Sequence, residues 1–425
     1  MSETVLILAD GVVTMQGERA FFAGTSGVAV REGRVVAVGL VEELRARFAG
    51  AREEYVAGVM VPGLVNGHTH LELGYQRERA QERPGYFTEW VTGMMRNYPA
   101  EREVEGIVQR AVRAGVEESL RSGVTLVGDI SRHTAVTRGV LRAGPLRVVS
   151  FGEVIGRGKL RERREEGLRV AADEAMASEF LRVGLSPHAT YTVDSLTLQM
   201  VVQVAAARGL PVTMHLGELA EERAFLRDFT GRLAEWGVMR NVVDRMEDSC
   251  AEGVVEWAVR AGLLGEKGLA RRGGGVRVVL AHMNYCEDAE LEELARGEGA
   301  GVSVAYCPRT AEYFGHVGHR YREMMAAGVN VCLGTDSLAS NPDLAVLKEA
   351  ALVWRRDGVP PYRAMEMVTV NGARALGVEA GVIASGRMAD VAVFPVEVGG
   401  TVEETLAGLL EGSPGAVWVG GVRVV

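Results

Sequence analysis

Residues 61–70 read VPGLVNGHTH, an apolar run that ends in two histidines, His68 and His70. Side chains alternate along an extended chain, so residues two apart point to the same face and these two imidazoles can share one cation. An isolated pair of this kind specifies little. Its weight comes from the rest of the chain, because runs of the same apolar, β-branched texture recur at 124–130, 146–152, 181–188, 211–215, 276–282, 302–306 and 329–336. Longer helical patterns separate them, and strands alternating with helices signal a parallel sheet. Eight such units predict a closed (β/α)8 barrel, an α/β fold of the TIM type, rather than an open sheet.

The ends of the chain have a different texture. Short strands broken by glycine turns are expected at 4–9, 28–31 and 34–38, followed by a helical piece at 41–48, and the pattern returns at 389–395 and 416–425. Neither end has enough strands for an independent sheet. The expected organisation is therefore one composite β-sandwich built from residues 1–60 and 386–425, flanking a barrel over 61–385. Two connections are long, and both read as caps over the barrel mouth. The first carries Tyr86, Phe87 and Trp90, and the second runs from Leu219 to about Gly275.

Composition narrows the function. The 425 residues carry 47 basic and 56 acidic side chains, a formal charge of −9, and no basic block. Phosphate neutralisation needs clustered Lys and Arg, so nucleic acid is not the expected partner. No apolar stretch reaches membrane length and the N-terminus lacks a signal-peptide pattern, so a soluble cytoplasmic protein is expected. The four cysteines, Cys250, Cys286, Cys307 and Cys332, show neither a zinc-ribbon nor a disulfide spacing. Only three of the basic residues are lysines, Lys159, Lys267 and Lys348. Soluble enzymes of this size are often symmetric, and a homo-oligomer is expected.

The chemistry gathers at strand ends. Five of the eight histidines, His68, His70, His188, His215 and His282, close expected strands, and barrel active sites are built at that end. His215 closes the fifth run in PVTMHLGE and Asp336 the eighth in VNVCLGTDS. A barrel returns its eighth strand beside its first, which brings Asp336 to His68 and His70. Three imidazoles and a carboxylate, with room for water, make a catalytic site for one divalent ion. Zinc suits these donors best, with iron, nickel or manganese also compatible. Glu218, three residues after His215, can move protons beside such a centre, and His282 can hold a water.

These segments resemble the amidohydrolase superfamily over nearly the whole chain. PGLVNGHTH is similar to its first-strand metal motif, MHLGE to its fifth, AHM to its sixth and GTDS to its eighth. VTVNGARALG and GVIASGRMADVAVF resemble the family's return into the terminal β-module. The spacing of His215 and Glu218 is similar to that of nucleobase and nucleoside deaminases and related chlorohydrolases. Other members carry a fourth-strand lysine that bridges two metals; here the fourth run reads LRVGLSPHAT, and none of the three lysines stands at its end.

SPHATYTVD is similar to a segment of deaminases acting on 5′-modified adenosines, which implies that His188 binds substrate; Trp90 in YFTEWV resembles a substrate-packing aromatic, and Ser337 and Asn341 shape the GTDSLASNPDL loop. The chain departs from that group at Leu71–Gly74, which includes Glu72, and at Cys307–Thr310, which includes Arg309. Both are expected to face substrate. The resemblance implies hydrolytic deamination of an aminopurine nucleoside: a metal-bound hydroxide attacks the ring carbon, His282 and Asp336 manage the water, and Glu218 protonates the ring nitrogen as ammonia leaves. S-adenosylhomocysteine, methylthioadenosine and 6-aminodeoxyfutalosine are the candidate substrates, the last favoured because its benzoate would pair with Arg309. Dechlorination or amide hydrolysis of another heterocycle is the alternative chemistry, and a non-catalytic assembly or regulatory role the remote one.

Overall fold

The computed structural model describes residues 3–17, 21–81, 83–240, 251–272, 275–296 and 301–425. Cys250 and the part of the second long connection at 241–250 lie outside them.

Eight strands form the barrel: Leu64–Thr69, Val124–Ser131, Arg147–Val154, Leu181–Pro187, Val212–Leu216, Val278–His282, Val302–Tyr306 and Asn330–Leu333. Each pairs in parallel with the next. Every residue of the second strand is buried, as expected where helices cover a parallel sheet. Side chains and backbone together close the seam between the eighth strand and the first. The Asn66 amide donates to the Thr335 hydroxyl at 2.8 Å, and its carbonyl oxygen accepts the Thr335 N–H at 3.1 Å. The Thr335 and Asp336 amides both donate to the His68 carbonyl, at 3.1 and 3.0 Å. Asp336 is thereby fixed beside the first strand by backbone bonds.

The first apolar run, expected as one strand over 61–70, is two. Val59–Pro62 belongs to the terminal sheet and Leu64–Thr69 to the barrel. Pro62 has no N–H to offer, and at Gly63 a Cβ would lie 2.1 Å from the Thr125 hydroxyl, so only glycine passes. The domain boundary expected after residue 60 thus falls inside a strand.

The terminal module, expected as a sandwich, is hydrogen-bonded as one mixed sheet. Val59–Pro62 runs parallel to the N-terminal strand Val5–Val13 and antiparallel to Val391–Phe394, which stitches the two ends of the chain together. A buried ion pair joins this module to the barrel, with Arg147 Nε 2.6 Å from Asp390 Oδ2.

Local signals set the helices. Asp194 accepts the Thr197 N–H at 2.8 Å to start Ser195–Arg208, and Gly209, at φ 67°, ends it. Over the barrel mouth, Phe87–Arg96 lies against Gly231–Met239, where the Trp236 indole donates to the Thr92 hydroxyl at 3.0 Å. Among the described residues no helix is long and apolar enough to cross a membrane.

Candidate active site

The strand ends converge on one cavity of about 260 Å³ at the mouth of the barrel. At its base, ligand atoms of His68, His70 and His215 lie within 4.8 Å of one another, and so do those of His68, His282 and Asp336. His70 Nε2 is 3.1 Å from His215 Nε2, and Asp336 Oδ1 is 3.7 Å from His68 Nε2 and 3.6 Å from His70 Nε2. Among the described residues neither ring nitrogen of His68 has a hydrogen-bond partner, and the buried His282 Nε2 also has none. Buried polar atoms are rarely left so. A cation at the centre satisfies these nitrogens together.

Electrostatics prepares the same result. Burial, then the neighbouring His215, holds His68 well below the usual imidazole range; burial and His68 do the same for His70 and His282. Burial, reinforced by His188, pushes His215 down to about 4. The imidazoles are therefore neutral at physiological pH, the form that binds metal.

Backbone strain aims these groups. His282 at φ 75°, Met283 at φ 51° and Asp336 at φ 56° occupy the left-handed region, which costs of order 1–3 kcal/mol for such residues. Ring placement is fixed as well, since His215 Nδ1 bonds the His188 carbonyl at 2.9 Å, and the Ser340 hydroxyl donates to Asp336 Oδ2 at 2.8 Å.

Glu218 stands beside the donors, its Oε1 3.8 Å from His282 Nε2. Burial, with Asp336 and Glu222 adding like charge, pushes its carboxyl well above the usual carboxylate range. Glu222, which no sequence motif singles out, holds this loop. It accepts the Gly217 and Leu219 amides at 3.3 and 3.0 Å, on either side of Glu218, and the Thr190 hydroxyl at 2.9 Å.

The expected substrate-binding residues divide. Trp90 and His188 line the cavity. The Trp90 indole donates to the Ala339 carbonyl at 3.1 Å, and His188 Nδ1 lies 2.7 Å from the Thr192 hydroxyl. Glu72 is in the wall too, but its oxygens accept the Arg132 and His133 amides at 2.9 and 3.0 Å and the Thr137 hydroxyl at 3.0 Å. It anchors the start of helix Thr134–Leu141. Arg309 corrects the reading outright. It is not in the cavity wall, and its guanidinium makes a forked pair with Asp343 at 2.9 and 3.2 Å. Helix Pro308–Phe314 begins immediately after the seventh strand and carries Arg309 toward that carboxylate. Arg132 and Glu153, not anticipated, are in the wall instead. All three lysines are exposed and outside it.

Arg309→Ala is accordingly expected to cost about 1–3 kcal/mol of stability, the range for hydrogen bonds to charged groups, and to leave metal content unchanged. Burial alone would raise Asp343, but hydrogen bonds from Arg309 and Lys348 outweigh it and hold the carboxyl at about 2, below its ordinary 3.8. A lowered carboxyl contributes stability above its unfolded pKa and loses it as pH falls through the folded one. Urea titrations should therefore show a gap between wild type and variant that narrows as pH falls from about 5 toward 2; a gap that stays constant over that range would refute the ion-pair account.

A (β/α)8 barrel with neutral imidazoles and an aspartate at its C-terminal mouth defines a metal-dependent hydrolase barrel. The chain belongs to the amidohydrolase family, whose model matches residues 59–424. It is 30% identical over 352 residues to the 5-methylthioadenosine/S-adenosylhomocysteine deaminase of Natronomonas pharaonis, covering 80% of this chain and 73% of that protein. With the 5′-deoxyadenosine deaminase of Methanothermobacter thermautotrophicus the identity is 29% over 350 residues, covering 79% and 73%. The fold matches that of Helicobacter pylori aminofutalosine deaminase in complex with methylthio-coformycin, with a TM-score of 0.82, 23% identity and full coverage of both chains.

Proposed function

We propose that this chain hydrolytically removes the 6-amino group of an adenosine derivative modified at its 5′ position, using one divalent ion, zinc in the first instance. His68, His70, His215 and Asp336 would hold the ion. Bound there, it would lower the pKa of a coordinated water toward neutrality. Glu218 carries the reading: a buried carboxyl beside the donor cluster, its neutral form favoured by burial and like charge, is the acid that an amidine-like ring requires. It gives its proton to the ring nitrogen next to the amino-bearing carbon, which makes that carbon electrophilic. His282 Nε2 and Asp336 Oδ1 orient the attacking water and take its proton. The C–N bond breaks, ammonia leaves with the protons returned to it, and the ring keeps the oxygen. His188 and Trp90 hold the purine, and the names of the relatives are consistent with this chemistry.

The preference for a benzoate-bearing substrate loses its support, because Arg309 is paired outside the cavity and both Glu72 oxygens are engaged. The deciding experiment is ammonia release from 5′-deoxyadenosine, methylthioadenosine, S-adenosylhomocysteine and aminofutalosine, with metal content measured on the same sample. Chloride release from a halogenated triazine without ammonia from any nucleoside would replace the reading with the chlorohydrolase alternative.

Glu222 yields a further prediction. Glu222→Ala removes the acceptor of two amides that flank Glu218, and is expected to lower kcat about tenfold or more with metal retained, at about 1–3 kcal/mol of stability. Unchanged kcat in a destabilised protein would reduce Glu222 to scaffold.

A further inference from the structure

The geometry points to Glu153 as the residue that reads the vicinal hydroxyls of the substrate's sugar; this inference rests on the nucleoside reading above. Glu153 is the penultimate residue of the third barrel strand, lines the cavity, and has a side chain only 12% exposed. Among the described residues no N–H or O–H donor lies within hydrogen-bond distance of its carboxylate. His188 Nε2 stands 3.9 Å from its Oε2, and the Arg132 charge acts on it across the cavity.

The other carboxylates of the cavity are occupied. Glu72 holds two amides and a hydroxyl, Asp336 faces the imidazoles and accepts the Ser340 hydroxyl, and Glu218 stands against His282. Glu153 alone among them lacks both a donor and a place in the donor cluster. A largely buried carboxylate without donors is costly, so its retention asks for a ligand that supplies them.

Position identifies that ligand. The His188 ring centroid is 5.0 Å from that of His215, and Glu153 Oε2 stands 3.9 Å from His188 Nε2. With the amino-bearing carbon of a purine at those donors and His188 on the ring, the next part of a nucleoside along this wall is its ribose. Two carboxylate oxygens accept from two adjacent hydroxyls, a pairing that neither the apolar cap nor the exposed Arg132 can provide. A free base would leave Glu153 unmatched.

The test compares deamination of adenosine and 2′,3′-dideoxyadenosine by wild type, Glu153→Gln and Glu153→Ala. Wild type should favour the diol by at least about 10²-fold in kcat/KM, since a site built to bond hydroxyls rejects analogues that lack them. Both variants should shrink that ratio to within about tenfold, through KM for adenosine, with the dideoxy rate and metal content unchanged and the melting temperature level or higher. Equal losses on both substrates would mean that Glu153 only positions His188, and that overturns the inference. Ammonia release without any diol preference overturns it alone. No ammonia from any adenosine overturns the deaminase reading and this inference with it.

Discussion

Glu218→Gln is expected to keep its metal and its fold and to lose turnover by at least about 10²-fold, the scale of one general acid or base. The substitution preserves shape and removes the transferable proton. Because the wild-type carboxyl is raised by burial and by like charge from Asp336 and Glu222, its neutral form already resembles the amide, so the variant brings no new desolvation penalty. Stability should stay level or rise slightly, which separates this variant from one that merely disrupts the loop. The loss should lie in kcat, with KM little changed, because the acid acts as the ring nitrogen gains basicity rather than on the resting substrate. Near-normal turnover with metal in place would remove Glu218 from the mechanism and leave His282 and Asp336 as the only proton carriers.

The legibility of this site in the sequence rests on one rule. A parallel barrel strand places its last residue at the mouth, so apolar runs ending in His68 and His70, His215, His282 and Asp336 read as one centre from the sequence alone. The same rule, extended one residue past the third run at 146–152, reaches Glu153, which is the penultimate residue of strand Arg147–Val154 as His215 is of Val212–Leu216. Residues beyond strand ends are harder to assign. Arg309 and Glu72 both follow a strand closely, yet Arg309 meets Asp343, 34 residues further along, and Glu72 meets amides 60 and 61 residues away. Such contacts depend on where a loop turns, and no local pattern encodes them. Pro62 and Gly63 are visible signals of a break in the first run, but the length of the apolar stretch around them masks it.

Stripping the ion is expected to abolish activity and to lower the melting temperature, and His215→Ala is expected to do the same without a chelator. His70 Nε2 and His215 Nε2 face each other at 3.1 Å, and among the described residues the buried nitrogens of His68 have no partner. Each such group costs about 1–3 kcal/mol when left unmade. Protonation cannot relieve them, because burial holds these imidazoles neutral. A ligand bound only by the native state stabilises by RT ln(1 + [L]/Kd), which is about 4 kcal/mol at a thousandfold excess over Kd; readdition of zinc should therefore restore both the melting temperature and the ammonia release of the wild type. His215→Ala removes one of the donors, so its loss of turnover should exceed about 10³-fold and should not be rescued by zinc at the concentration that saturates wild type. The two measurements discriminate what the barrel is for. Activity lost together with stability marks a catalytic ion at these donors, whereas a purified protein with no bound ion, no ammonia release and a melting temperature that chelator does not change would mean that the histidines hold no ion. In that case the assembly or regulatory role would become the better account of a barrel that has kept its donors.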